Sequence, residues 1–253
     1  MSNVRTVSDT KRDFYSHHTR PINSIYRRVV EELMVEMHLL SVNVDFHYDP
    51  IYALGVVTSF NRFMEGYKPE ADKESIFAAL CQAVGGTWQQ YRQDAEGLLL
   101  IAGRLYGNDL ISWLTSPTSV ERSRDVPNTL NAMTTPAIGI AQNPKFKYSR
   151  LFAIGLFTLL EQGDSELVKN QKELNEVLEQ ISQALHLPQE KVQKDLELYR
   201  SNLEKMAQVQ SAMADIIQAD RKKREQRLQD KNQAETSSPD DTSNSYKEVS
   251  GRR

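Results

Sequence analysis

Leu151-Phe152-Ala153-Ile154-Gly155-Leu156-Phe157-Thr158-Leu159-Leu160, held between Arg150 and Glu161, decides the fold. At about 100° per residue its apolar side chains point all round a helix axis, as they do in a helix enclosed by others at the centre of a bundle. The run is about half the ~20 residues needed to span a bilayer. A buried helix over 146–161 is therefore predicted, with other helices wrapped around it.

Working outward, the rest of the chain supplies those helices. Thr6 followed by Asp9 fits a capping box opening a short helix through Phe14 and Tyr15. Pro21 suits the first turn of a second, in which Ile22, Ile25, Val29, Val30, Leu33, Met37 and Leu40 recur at helical spacing. Asp49-Pro50 is a cap followed by a first-turn proline, ahead of Leu54, Val57, Phe60 and Met64. Pro69 introduces another start near Glu70 to Asp72, stopped by Gly85-Gly86; Thr87 to Leu105 and Leu110 to Leu114 read as the next two helices. Val42 to Phe46 alternates like a strand, but a run this short without a partner reads better as an extended connector. From Thr115 to Pro144 four prolines recur among Ser, Thr and Asn, which marks either a functional excursion or short helices that periodicity does not place.

After Gly163, Asp164 is expected to cap a helix reaching Leu185 near His186, because Pro188 cannot continue it. Pro188 starts a long helix whose Val192, Leu196, Tyr199, Leu203, Met206, Gln210, Met213 and Ile217 alternate by four and three, an a/d seam. The two helices would form an antiparallel hairpin across His186-Leu187-Pro188. A first helix of roughly 20 residues covers about 30 Å, which would leave Met206, Val209, Met213, Ile216 and Ile217 free for another contact. The last 24 residues, Asp230 to Arg253, hold only Ala234, Tyr246 and Val249 as apolar side chains, and are expected to be disordered. The expectation is an all-α protein: a multi-helix bundle core over 1–163, a helical hairpin with a coiled-coil arm over 164–232, and a disordered polar tail over 233–253.

Composition agrees. Gly and Pro number 11 and 9 in 253 residues, too few for the many turns of a β-sandwich or barrel. The formal charge of -3 does not make the whole chain a polycation, so no nucleic-acid partner is expected. The one cysteine, Cys81, sits in the apolar run Ile76 to Cys81 and reads as a small buried hydrophobe. The first nine residues carry no apolar stretch of signal-peptide length, so neither export nor a long transit peptide is expected.

The commonest signatures of chemistry are missing. No glycine-rich phosphate loop, dinucleotide fingerprint, nucleophile elbow or His-Glu-x-x-His is present. None of the five histidines follows a Glu by three positions, as a di-metal carboxylate bundle requires. His17 and His18 diverge by about 100° on a helix and do not suit one ion. No catalytic residue, cofactor or metal is predicted.

Two clusters remain as candidate partner contacts. Near the N-terminus Arg12, Tyr15, His18 and Arg20 stand among other charges, either a solvated helix face or a recognition surface on which Arg and Tyr anchor a partner. Near the C-terminus Met213 and Ile217 precede Arg221, Lys222, Lys223 and Arg224. These cations suit a frayed helix C-terminus, or attraction to anionic lipid or an acidic partner surface.

The strings Val7 to Tyr15, His18 to Asn23, Val29 to Leu40, Tyr48 to Gly55, Ile76 to Cys81, Tyr91 to Ala95 and Phe146 to Leu156 resemble the thylakoid formation protein family, in order, from residue 5 to about 220. The charged tail is outside the resemblance. The family's plant members carry a transit peptide, and this chain resembles a cyanobacterial member. The resemblance implies an all-helical, non-enzymatic helper of photosystem II biogenesis and repair on the cytoplasmic face of thylakoid membranes. Its implied partner is the membrane-bound FtsH protease. The alternative expectation is a peripheral membrane-surface scaffold whose basic arm binds anionic lipid independently of the protease.

Overall fold

The structure, a computed structural model, describes residues 5–115 and 136–236, leaving out the side chains of 136–138, 217 and 229–236. The expected excursion over Thr115 to Pro144 falls mostly outside the described residues, as does the tail beyond 236. Among the described residues every regular element is helical.

In chain order these are α1 (Val7–His17), α2 (Ser24–Ser41), α3 (Pro50–Phe63), α4 (Asp72–Ala83), α5 (Trp88–Ala102), α6 (Asn108–Thr115), α7 (Pro136–Ala141), α8 (Arg150–Gly163), α9 (Gln171–Ala184) and α10 (Gln189–Thr236). The capping box opens α1: Asp9 N–H donates to Thr6 Oγ1, and Thr6 N–H donates to the Asp9 carboxylate. Asp49 caps α3 by accepting from Tyr52 N–H at 2.9 Å, with Pro50 in the first turn. Val42 to Phe46 is a turn, not a strand.

Three helix starts move inward from their predicted places. Pro21 lies outside α2, because the Asn23 side chain accepts from Ile25 N–H and fixes the start at Ser24. Helix α8 opens at Arg150 rather than Phe146, since Ser149 Oγ accepts from Phe152 N–H. Asp164 caps only the 3-10 turn Leu167–Lys169, and Asn170 caps α9. The start introduced by Pro69 falls where predicted, at Asp72, with Ala71 in the cap position of α4.

Helices α3 and α8 are the axis of the core. Ile51 through Phe60 on α3 and Leu151 through Leu160 on α8 are buried on every face. Two glycines let them meet: a Cβ on Gly55 would stand 1.7 Å from the Leu151 carbonyl oxygen, and one on Gly155 1.9 Å from that of Ile51. Helices α1, α2, α4, α5, α6 and α9 pack around this pair.

The two axis helices belong to repeated halves. Asn43, Phe46, Tyr48, Ala53, Gly55 and Thr58 match Asn143, Phe146, Tyr148, Ala153, Gly155 and Thr158 at a constant offset. The local structure repeats with them. Asn43 Oδ1 accepts from Asp45 N–H and Asn143 Oδ1 from Lys145 N–H, both at 3.0 Å. The Phe46 ring meets Tyr52 edge-on at 5.0 Å, as Phe146 meets Phe152 at 5.1 Å. Tyr48 donates to Asp94 at 2.7 Å, and Tyr148 to Asp195 at 2.8 Å. Both following helical hairpins turn through a left-handed residue, Gly85 at φ 83° and His186 at φ 55°.

The chain divides into two compact units at Met206 and Ala207, inside α10, not at Gly163 as the composition change suggests. Leu174, Leu178, Ile181, Leu185, Val192, Leu196, Tyr199 and Met206 all belong to the one apolar core. Arg200 donates to Gln171 at 2.7 Å, which sets α9 and the start of α10 antiparallel. Met206, expected to be free, is buried. The second unit contains the rest of α10, which stays helical to Thr236, past the predicted start of disorder.

Candidate functional site

Helix α1 lies against α2 and α4, and its polar side chains sort by what they meet. Arg12 is exposed and pairs with Asp9 at 3.0 Å. The half-exposed Tyr15 donates to Glu31 on α2 at 3.0 Å, and the same carboxylate takes Lys11 at 2.8 Å. Burial and the Glu31 bond push the Tyr15 phenol above its ordinary range, whereas Lys11 holds Glu31 below its own.

His18 does not share that surface. It is 1% exposed, its Nδ1 is 2.9 Å from Ser75 Oγ on α4, and its Nε2 is buried without a partner. Burial lowers its pKa, against the pull of Asp72. A buried imidazole holds α1 to α4 and offers nothing to a partner. Arg20 reaches Asp72 at 2.5 Å, an ion pair between an exposed guanidinium and a buried carboxylate.

Beside this patch the structure shows an open groove of about 880 Å3 that the sequence does not announce. Lys11, Arg27, Arg28, Glu31, Glu32, Glu36 and Leu39 line one side, and Tyr148, Arg150, Lys191 and Asp195 the other. Arg150 binds Glu36 at 2.5 Å across it, and Lys191 lies 5.2 Å over the Tyr148 ring. Burial raises the Glu36 pKa despite Arg150. The groove is nearly balanced in charge, five cations against four carboxylates, and carries one exposed leucine, Leu39. Within it Tyr148 and Asp195 stand where the first half has Tyr48 and Asp94.

The second candidate cluster lies on α10 within the second unit. Met213 is partly buried, while Val209, Ile216 and Leu228 are exposed. For Ile217 only the backbone is described. Arg221 pairs with Glu225 at 3.0 Å, one turn on, and Lys222, Lys223 and Arg224 are exposed. Exposed apolar side chains interleaved with cations over one helix can bury themselves against another protein or a lipid headgroup layer.

Among the described residues no three His, Cys, Asp or Glu side chains converge as metal ligands, and no helix is long and apolar enough to cross a membrane.

The comparisons with known proteins agree with this architecture. The family described as Thylakoid formation protein matches residues 6–228. Protein Thf1 of Nostoc punctiforme is 64% identical over 229 residues, covering 90% of this chain and 94% of that protein. Protein Thf1 of Gloeothece citriformis is 61% identical, covering 89% and 97%. The solved structure of Psb29 superposes with a TM-score of 0.72 at 45% identity, covering 87% of this chain and 98% of that one. The chain belongs to the thylakoid formation protein family.

Proposed function

We propose that this protein is a non-enzymatic factor in photosystem II biogenesis and repair. It works by contact with the membrane-bound FtsH protease on the cytoplasmic face of the thylakoid. Membership of the thylakoid formation family over residues 6–228 carries the reading. The second unit supports the contact mode, since its exposed Val209, Ile216 and Leu228 offer apolar area and Arg221 to Arg224 offer charge.

Affinity recovery from detergent-solubilised thylakoids tests it, using the full chain and a chain ending at Met206. Recovery of the protease by the full chain and its loss from the shortened one support the reading. Equal recovery removes α10 beyond Met206 as the contact, and no recovery by either removes the protease as the partner.

A second reading has its own observation. The exposed run Arg221, Lys222, Lys223 and Arg224 beside Leu228 also suits an anionic membrane surface, independently of any protease. Flotation of the purified protein with vesicles containing anionic lipid separates the two.

A further inference from the structure

Beyond Met206 the seam of α10 changes character part-way along. In the a/d register that runs through Leu203 and Met206, the next positions are Gln210, Met213 and Ile217, then Asp220, Arg224 and Arg227. Val209, Ile216 and Leu228 flank this line, and all three are exposed. Among the described side chains of the second unit none is buried. An amphipathic helix gains most of its stability by packing its apolar face, so the seam suits a partner.

Charge says what kind. From Asp220 to Arg227 five cations stand against two carboxylates. Arg221 is engaged by Glu225 at 3.0 Å, whereas the exposed Arg224 and Arg227 make no ion pair among the described residues. Both occupy the seam itself rather than its edge. Whatever covers the apolar half must therefore bring carboxylates to the charged half.

A second copy of α10 does not meet this condition. Run parallel and in register, it sets Arg224 against Arg224 and Arg227 against Arg227. Run antiparallel, with Ile217 meeting Asp220, it sets them against Met213 and Gln210. A lipid layer fits poorly as well. Helices that lie in a membrane surface carry their cations on the polar face, but here burying Val209 and Ile216 would turn Arg224 and Arg227 toward the acyl chains, where a charge is costly.

We propose that α10 beyond Met206 receives an amphipathic helix of a partner protein, which covers Val209, Met213 and Ile216 with an apolar stripe and answers Arg224 and Arg227 with carboxylates further along the same stripe. The proposal rests on the reading of the second unit as a contact surface, and not on the protease being the partner. The apolar half supplies affinity. The arginines fix register and choice of partner, because a helix slid by one heptad strands a carboxylate against Met213.

The test uses the full chain and synthetic helical peptides of about four heptads, with leucine at the a and d positions of one half and glutamate, glutamine or lysine at those of the other. Each is made in both sequence orders, so that either helix direction is served. Fluorescence anisotropy at low salt should show the glutamate peptide, in one order, binding about tenfold or more tightly than its glutamine counterpart, with the lysine peptide weakest. Arg224→Glu together with Arg227→Glu should reverse the ranking. If that variant loses helical signal by circular dichroism, Arg224→Gln with Arg227→Gln takes its place and should erase the preference. Val209→Asp with Ile216→Asp should weaken all three peptides. Equal binding of the peptides, or a ranking that the arginine variants leave unchanged, overturns the proposal. So does displacement of the glutamate peptide by phosphatidylglycerol vesicles, which assigns the seam to lipid, or a dimer of the peptide-free protein that Val209→Asp with Ile216→Asp dissolves, which assigns it to a second copy. Failure to recover the protease beside intact binding of the glutamate peptide removes the protease and leaves this proposal standing; recovery without a peptide preference removes this proposal alone.

Discussion

Gly55 and Gly155 face each other so closely that a Cβ built on either stands 3.0 Å from the backbone nitrogen of the other and under 2 Å from a carbonyl oxygen of the facing helix. The obstructing atoms are backbone, so no rotamer change relieves the clash. Helices α3 and α8 must separate if either residue gains a methyl group. Gly55→Ala and Gly155→Ala are each expected to destabilise the protein by about 3 kcal/mol, the upper range for overpacking. Gly139→Ala, where nothing lies within 4 Å, is the control and should be neutral or slightly stabilising. Urea unfolding followed by circular dichroism checks the set. A midpoint for Gly155→Ala equal to that of Gly139→Ala would mean that the helices are not in backbone contact.

Two buried histidines tie α1 down, which gives stability a pH dependence. His38 Nδ1 is 2.8 Å from Thr10 Oγ1, and His18 Nδ1 meets Ser75; burial lowers both pKa values below 6.5. Arg5 and Asp9 act on His38 with opposite signs, as do Arg20 and Asp72 on His18. Above pH 6.5 both rings are neutral folded or unfolded, so their contribution is fully present. As pH falls through 6.5 the unfolded chain takes up protons first, and stability declines until the lowered folded pKa is reached. Asp49, raised to about 7 by burial, and Glu36, also raised, work in the opposite direction, losing stability as pH rises through their folded values. The histidine share is therefore the difference between wild type and His18→Gln/His38→Gln. Wild type should lose more stability than the double variant between pH 7 and pH 5. Identical slopes would show that the rings already carry protons, or solvent, in the folded state.

The Glu36–Arg150 pair joins α2 to the start of α8, with Glu36 the more buried partner. Removing the cation leaves a carboxylate already pushed upward by burial without its largest compensation. Arg150→Met should therefore cost about 1 to 2 kcal/mol, less than a fully buried pair because Arg150 is about a third exposed. The sign fixes the pH dependence: a raised folded pKa means stability lost as pH rises through it, and the variant raises it further. The cost should shrink at pH 5 and grow at pH 8. A cost independent of pH would assign the loss to packing of the arginine stem instead.

How much of this was legible depended on what kind of signal the sequence carries. Side-chain caps are local, so Thr6 with Asp9 and Asp49 with Pro50 were readable and hold. The all-round apolar run from Leu151 to Leu160 marked the bundle axis because burial leaves a composition trace. The inward moves at Asn23, Ser149 and Asn170 came from hydrophobic residues such as Ile22 and Phe146 that pack on the core from non-helical backbone, so apolar spacing overran the helix ends. Candidate surface residues fared less well, since exposure is tertiary. His18 lies in the same polar string as Arg12 and Tyr15, yet the fold turns it inward onto Ser75. The repeat was present throughout in Asn43-x-x-Phe46-x-Tyr48 and Asn143-x-x-Phe146-x-Tyr148, a long-offset identity invisible to a search by helical period. It places Gly55 against Gly155, and it puts Tyr148 and Asp195 at the groove.

The last prediction separates the two proposed roles of the second unit by their response to salt. If Arg221, Lys222, Lys223 and Arg224 act by charge alone, replacing them with Gln lowers association with thylakoid membranes chiefly at low ionic strength. Exposed charges further apart than about 10 Å are largely screened at 0.1 M salt. Met213, partly buried on the same helix, supplies adaptable apolar contact that salt does not screen. Met213→Asp together with Ile217→Asp should leave a folded protein with its helical signal intact, because the core ends at Met206, and should weaken protease recovery at every salt concentration. Cosedimentation over a salt series, run beside affinity recovery of the protease, reads both. Unfolding of the Met213/Ile217 variant would place the distal seam in the core. A folded variant with normal recovery, against a quadruple Gln variant that loses membrane association at low salt, would leave the lipid surface as the role of this helix.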